Sequence, residues 1–202
     1  AIQCCLVGSE MCIRDRIAER LDEPAANLSG GQQQMLGLAM ALHSKPKVLL
    51  IDELSLGLAP AVVERILPVI KQIADQGTAV IIVEQSVNLA LTIADRAYFM
   101  EKGQIRFAGS TKELLNRPDL LRSVFLSNTL ISAVETSSKP SSKETKTILE
   151  IEDMTRSFGG ILAVNSVTFD VRSNEIIGIM GPNGAGKTTL FDLLSGFVPS
   201  QG

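Results

Sequence analysis

The stretch that most constrains the fold is "IIGIMGPNGAGKTTLFDLLSG", Ile176 to Gly196. Its centre, Gly181-Pro182-Asn183-Gly184-Ala185-Gly186-Lys187-Thr188, satisfies G-x-x-x-x-G-K-[ST] in full. A buried strand, "EIIGIM", leads into the loop, and "GKTTLFDLLSG" opens a helix after it. The glycines let backbone N–H groups turn inward with no side chains in the way. With the helix N-terminus, those donors make an anion site suited to a β-phosphate. Lys187 adds a point charge for β- and γ-phosphates, and the Thr188 hydroxyl can ligate Mg²⁺. The bland alternative is a glycine-rich turn with a chance lysine. The strand before it and the helix after it argue against that.

The position of the loop is odd. The residues that would work with it lie upstream, before residue 100. Asp52-Glu53 closes "KVLLID", a continuous apolar run that reads as a strand buried on both faces. An Asp there can hold Mg²⁺, and a neighbouring Glu can orient and deprotonate an attacking water. Acidic residues also often follow buried strands as plain helix caps. Leu28-Ser29-Gly30-Gly31-Gln32 starts a helix whose N–H groups and dipole favour an anion. Its bland reading is a good N-cap at Ser29.

From Ile17 to Ser127 the pattern alternates helix and strand. "NLSGGQQQMLGLAMALHSKP" reads as a helix ended before Pro46, and "PAVVERILPVIKQIADQG" as an amphipathic helix bent at Pro68. "TAVIIVE" is a second buried strand, and "SVNLALTIAD" a short helix. "RAYFMEKGQIRFAG" reads as a hairpin turning at Lys102-Gly103. Short helices are expected near 110–116 and 118–126. Residues 128–146 are polar and Ser/Lys-rich and read as a linker. A new unit starts near Thr147, with strands in "TILEIEDM" and "VNSVTFDVR". Residues 1–16 resemble translated adapter sequence and are expected to be non-native.

Net charge of −3 gives no electrostatic reason to expect nucleic acid, and an absence of Trp with a single Tyr argues against a base-stacking platform. The three cysteines all fall in the first twelve residues, with a spacing that matches no zinc pattern. No run of 18 apolar residues occurs.

Together these motifs resemble the nucleotide-binding domain of ATP-binding cassette (ABC) proteins, whose signature is "LSGGQ". The resemblance implies an α/β fold of the P-loop NTPase class with a RecA-like core: a mainly parallel sheet plus antiparallel β elements. "VLLIDELSLGLAP", "VEQSVNLALTIADRAYFMEKGQI" and "LLNRPDLLRSVFL" look like one ATP-binding subunit of the branched-chain amino acid importers. "FGGILAVNSVTFDVRSNEIIGIMGPNGAGKTTLFDLLSGF" looks like the start of the other. The chain is therefore expected to hold the C-terminal half of one domain (17–127), the linker (128–146) and the N-terminal half of a second (147–202), both incomplete.

The resemblance implies ATP and Mg²⁺ as ligands. It assigns nucleotide contacts to Gly181, Pro182, Asn183, Gly184, Ala185, Gly186, Lys187, Thr188 and Thr189. Ser29, Gly30, Gly31 and Gln32 would contact the nucleotide of an opposite domain. Phe158 falls where the family stacks an aromatic on adenine, with an ordinary core Phe as its alternative. Thr188 and Asp52 would bind the metal. Glu53 would be the catalytic base, and Gln85 occupies the switch position, where most cassettes have His. Gln can hydrogen-bond a γ-phosphate but cannot titrate. Leu54 and Ala59 depart from the superfamily pattern. Implied partners are a second nucleotide-binding domain, transmembrane permease subunits and a substrate-binding protein, with no nucleic acid. The implied location is the cytoplasmic face of the inner membrane, peripherally attached. Competing readings are a soluble cassette ATPase of translation or DNA repair, and a nucleotide-binding piece without turnover.

One structural expectation is specific to this order of motifs. Strands 175–180, 78–83 and 47–52 should pair in that sequence within a single sheet. The linker of about 19 residues reaches ~60 Å when extended, enough to return the second segment to the first. The alternative keeps two half-domains apart, with Ser29 facing Gly184 across an interface.

Overall fold

A computed structural model of the chain describes residues 23–116 and 146–201. The expected helix at 118–126, the proposed non-native N-terminus and all of the linker except Lys146 lie outside the described residues.

The first segment begins with a 3-10 turn, Ala25–Asn27, followed by α1 (Gly30–His43). Ser29 caps α1 through a reciprocal box with Gln32, which satisfies two N-terminal donors. Then come β1 (Val48–Asp52), α2 (Pro60–Asp75), β2 (Ala79–Glu84) and α3 (Val87–Ile93). Pro60 occupies the first turn of α2, where its missing N–H costs nothing, and Pro68 lies inside the helix. The hairpin β3 (Arg96–Glu101) and β4 (Gln104–Ser110) turns at Lys102-Gly103 and is followed by α4 (Thr111–Leu115). In the second segment, β5 (Thr147–Phe158) and β6 (Ile161–Arg172) form a long antiparallel hairpin joined at Gly159-Gly160. β7 (Ile176–Met180) runs into the glycine-rich loop, and α5 (Lys187–Leu194) leaves it.

β7 does not stay with its own segment. It lies parallel between β2 and β3, giving a five-stranded sheet in the order β1-β2-β7-β3-β4. Ile82 sits opposite Gly178, and Ala97 opposite the same glycine on the other side. The expected single sheet is therefore what forms. The sequence reading did not foresee β3 on the far side of β7.

Both faces of the central strands are covered, so β2 and β7 are buried at every position. On one face Ile81, Val83, Ile177 and Ile179 meet the β5–β6 hairpin through Val164, Val167 and Phe169, and α5 through Leu190. On the other, Val80, Ile82 and Ile176 meet α2 through Ile66, Ile70 and Ile73, and α1 through Met35. The expectation that β1 is buried on both faces is corrected. It ends the described sheet, and only Leu49 in it is buried.

Candidate functional site

The C-terminal ends of β1, β2 and β7 are neighbours, so the sheet gathers Asp52, Glu53, Glu84, Gln85 and the glycine-rich loop at one edge. Two glycines let the loop pack closely. A Cβ on Gly181 would meet the Met100 carbonyl oxygen, and one on Gly186 would meet the Ala163 carbonyl oxygen. Gly186 also has φ +99°, in the left-handed region. The loop is pinned from outside by Gly103 N–H, which donates to the Ala185 carbonyl (2.8 Å), while Asn165 N–H donates to the Gly103 carbonyl (2.8 Å). Pro182, Asn183 and Gly184 in the loop and Thr188 in the first turn of α5 are exposed; Thr189 is half-buried.

Lys187 is 5% exposed, and its Nζ donates to the carbonyls of Gly181 (2.8 Å) and Pro182 (3.1 Å). Burial depresses its pKa, opposed by the negative charges of Glu53, Asp52 and Glu84. Asp52 is shifted up, first by burial and then by Glu53, with Lys187 working against the shift. The lysine of the second segment and the carboxylates of the first thus share one electrostatic neighbourhood. Among the described residues, Asp52 Oδ1 is buried with no hydrogen-bond partner. An orphaned, buried carboxylate oxygen is an acceptor of the kind a hard divalent cation takes.

Glu53 adopts φ +46°, and its N–H donates to the Val83 carbonyl (2.8 Å). Gln85 Nε2 donates to Glu53 Oε1 (2.6 Å). Sequence reasoning missed Glu84. It is 1% exposed, and its carboxylate accepts from Ser55 N–H (2.9 Å) and Ser55 Oγ–H (3.0 Å). Its only sequence signal is an acidic residue ending an otherwise wholly apolar strand.

Ser29, Gly30, Gly31 and Gln32 are not part of this group. Their helix lies on the α2 face of the sheet, whereas α5 lies on the other. Among the described residues no hydrogen bond joins them to the loop. Phe158 ends β5 and is 46% exposed, with the Arg156 guanidinium 4.8 Å from its ring centroid, so it is not a core residue.

A family model described as "ABC transporter" matches residues 164–202. Another, described as "AAA domain, putative AbiEii toxin, Type IV TA system", matches residues 16–89. The chain is 48% identical over 103 residues to the high-affinity branched-chain amino acid transport ATP-binding protein BraG of Pseudomonas aeruginosa, covering 51% of this chain and 44% of that protein. It is 33% identical over 171 residues to a putative ABC transporter ATP-binding protein of Methanosarcina acetivorans, covering 85% of this chain and 32% of that protein. A like-named protein of Methanosarcina mazei is 31% identical over 192 residues, covering 94% of this chain and 36% of its own length. The chain thus spans between about a third and a half of these curated relatives. Among solved structures, the archaeal ribosome recycling factor aABCE1, in complex with ribosomal stalk protein aP1, superposes with a TM-score of 0.50. It is 21% identical and covers 96% of this chain and 39% of that one, a likeness of fold alone. The glycine-rich loop and the sheet that presents it are what the chain shares with the ABC transporter ATP-binding proteins, the family to which it is similar.

Proposed function

We propose that the chain binds MgATP at a site assembled from its two segments and that its parent protein hydrolyses ATP to drive solute import. The observation that carries this reading is the parallel pairing of β7 with β2 and of β2 with β1, which sets the glycine-rich loop and Lys187 at the same sheet edge as Asp52 and Glu53. In this reading the amides of residues 181–189 and the Lys187 ammonium hold the β- and γ-phosphates. Phe158 offers an exposed ring to adenine. Thr188 and Asp52 would hold Mg²⁺, which neutralises charge developing on the phosphates. Glu53 accepts the proton of the attacking water, and Gln85 orients it through Nε2 without itself titrating. Ser29, Gly30, Gly31 and Gln32, remote from this loop, serve a nucleotide held by a second nucleotide-binding domain.

Branched-chain amino acids are the proposed cargo, supported by the likeness to BraG. Permease subunits and a substrate-binding protein are then the proposed partners, with the chain docked peripherally at the cytoplasmic membrane face. The proposed organisation is one cassette's C-terminal half at 17–127 and a second cassette's N-terminal half at 147–202. An alignment covering 94% of the chain within one relative supports that order.

Two substitutions test the reading. Lys187→Ala is expected to abolish nucleotide binding, measured by fluorescence titration with a labelled ATP analogue. Glu53→Gln is expected to keep binding and slow turnover by about 10²-fold, the scale of a lost general base. Binding by Lys187→Ala within a few-fold of wild type would sink the phosphate-site assignment.

A further inference from the structure

A fully buried carboxylate at the rim of a nucleotide site calls for a physical account, because burying charge is unfavourable unless both oxygens are satisfied. Glu84 is 1% exposed, and the two oxygens are used on one residue, the backbone N–H (2.9 Å) and the hydroxyl (3.0 Å) of Ser55. Ser55 lies two residues beyond Glu53, inside a tight turn closed by Leu56 N–H to the Glu53 carbonyl (3.0 Å) and Leu58 N–H to the Ser55 carbonyl (3.2 Å).

Glu53 sits within this turn at φ +46°, a conformation disfavoured for any residue with a Cβ. Such a conformation persists only where its surroundings over-determine it. Before Glu53, the restraint is its own N–H to the Val83 carbonyl. On its side chain, the restraint is Gln85 Nε2. After it, the restraint is the Glu84 clamp on Ser55. Three consecutive residues at the end of β2, Val83, Glu84 and Gln85, therefore hold the strand-end turn of β1 at three points.

We propose that Glu84 is a positioning residue for ATP hydrolysis: its clamp on Ser55 holds Glu53 in its left-handed turn at the sheet edge that carries the phosphate loop. The proposal rests on the reading of Glu53 as the base. Glu84 acts through the turn and touches no nucleotide. Replacing it should therefore affect turnover more than binding.

The test uses the full chain with Glu84→Ala, Glu84→Gln and Ser55→Ala, beside Glu53→Gln. Gln preserves the clamp, since its amide oxygen accepts from Ser55 N–H and its NH₂ donates to the Ser55 oxygen. In Glu84→Ala, amide hydrogen exchange at Ser55 and Leu56 should accelerate about 10-fold or more, with β2 and β7 unchanged. Its kcat should fall about 10–100-fold with KM within about three-fold, as expected for a misplaced reacting group. Glu84→Gln should recover most of both effects. Ser55→Ala, which keeps the amide bond and loses the hydroxyl, should give a smaller change in the same direction. Should Glu84→Ala fail to fold, the Ser55→Ala result decides. Unchanged exchange at Ser55, or KM and binding lost in step with kcat, would overturn the positioning role. Unchanged turnover in Glu53→Gln would instead overturn the reading of Glu53, whatever the exchange data show.

Discussion

At the scale of single residues, the phosphate loop is a case where the same residue type has two different reasons to be present. Gly184 and Gly186 both adopt positive φ, +77° and +99°. Around Gly184 an added Cβ would meet nothing within 4 Å, whereas on Gly186 it would run into the Ala163 carbonyl. Gly184→Ala should therefore cost only the backbone term, about 1 kcal/mol. Gly186→Ala adds a steric clash with the β6 backbone and should cost about 3 kcal/mol or more, with weakened ATP binding. Urea unfolding of the two variants checks the difference, and equal costs would mean that β6 does not seat against the loop. The glycines, Lys187, Thr188 and the Asp52-Glu53 pair could be named as candidates from the sequence because each motif states its chemistry locally. Glu84 was not, because its role depends on Ser55, 29 residues away in the chain and brought near only when β1 pairs with β2.

At the scale of elements, the two segments are joined by a seam of hydrogen bonds around β3, β6 and β7. Arg96 Nε lies 2.5 Å from Glu175 Oε1, and its Nη1 lies 3.0 Å from Asp170 Oδ1. Ile176 N–H donates to Asp95 Oδ2 (3.0 Å), and Asn174 Nδ2 donates to the Asp75 carbonyl (3.1 Å). Arg96→Ala removes the guanidinium shared by buried Glu175 and half-buried Asp170, leaves Asp170 only Arg172, and should destabilise by about 2 kcal/mol. Chemical denaturation at neutral pH measures this. Asp170 carries a pH signature of the same seam. Burial alone would raise its pKa, but hydrogen bonding and charge from Arg96, then Arg172, hold it below the ordinary value. A folded-state pKa below the unfolded one gives stability that is present above about pH 4 and lost as the pH falls through the lower folded value. Asp170→Asn should therefore lose stability at neutral pH and show a flatter acid limb than wild type. The β3–β4 hairpin itself was legible from alternation and its Lys102-Gly103 turn. Its place beside β7 was not, because the pairing of a parallel strand is set by contacts far apart in sequence. The half-exposed β1 was misread for a related reason: an apolar run does not reveal whether a strand is central or last.

At the scale of the whole molecule, the order of motifs and the order of strands disagree. Phosphate loop follows acidic pair in the chain, yet β7 lies in the middle of the sheet, hydrogen-bonded to β2 on one side and β3 on the other. Neither segment has a complete sheet without the other. Removing β7 would leave the backbone groups and apolar side chains of β2 and β3 facing a gap. The sheet and the proposed nucleotide site are therefore one structure. Lys187 from the second segment shares a sheet edge with the carboxylates of the first within the same chain. This arrangement makes a specific statement about mixtures. Lys187→Ala and Glu53→Gln each damage the site, one in each segment. If every site is built within one chain, mixing the two full-length variants yields no intact site. ATP turnover of an equimolar mixture should then equal the mean of the two variants at every protein concentration, including after joint denaturation and refolding. If the segments are instead exchanged between chains, refolding together produces some sites with Lys187 from one chain and Glu53 from the other. Turnover would then rise above the mean, by up to about a quarter of the wild-type level for random pairing, and would depend on concentration. Steady-state turnover before and after co-refolding separates the two cases. A concentration-dependent gain would show that β7 is supplied by a second copy and not by the chain to which it belongs.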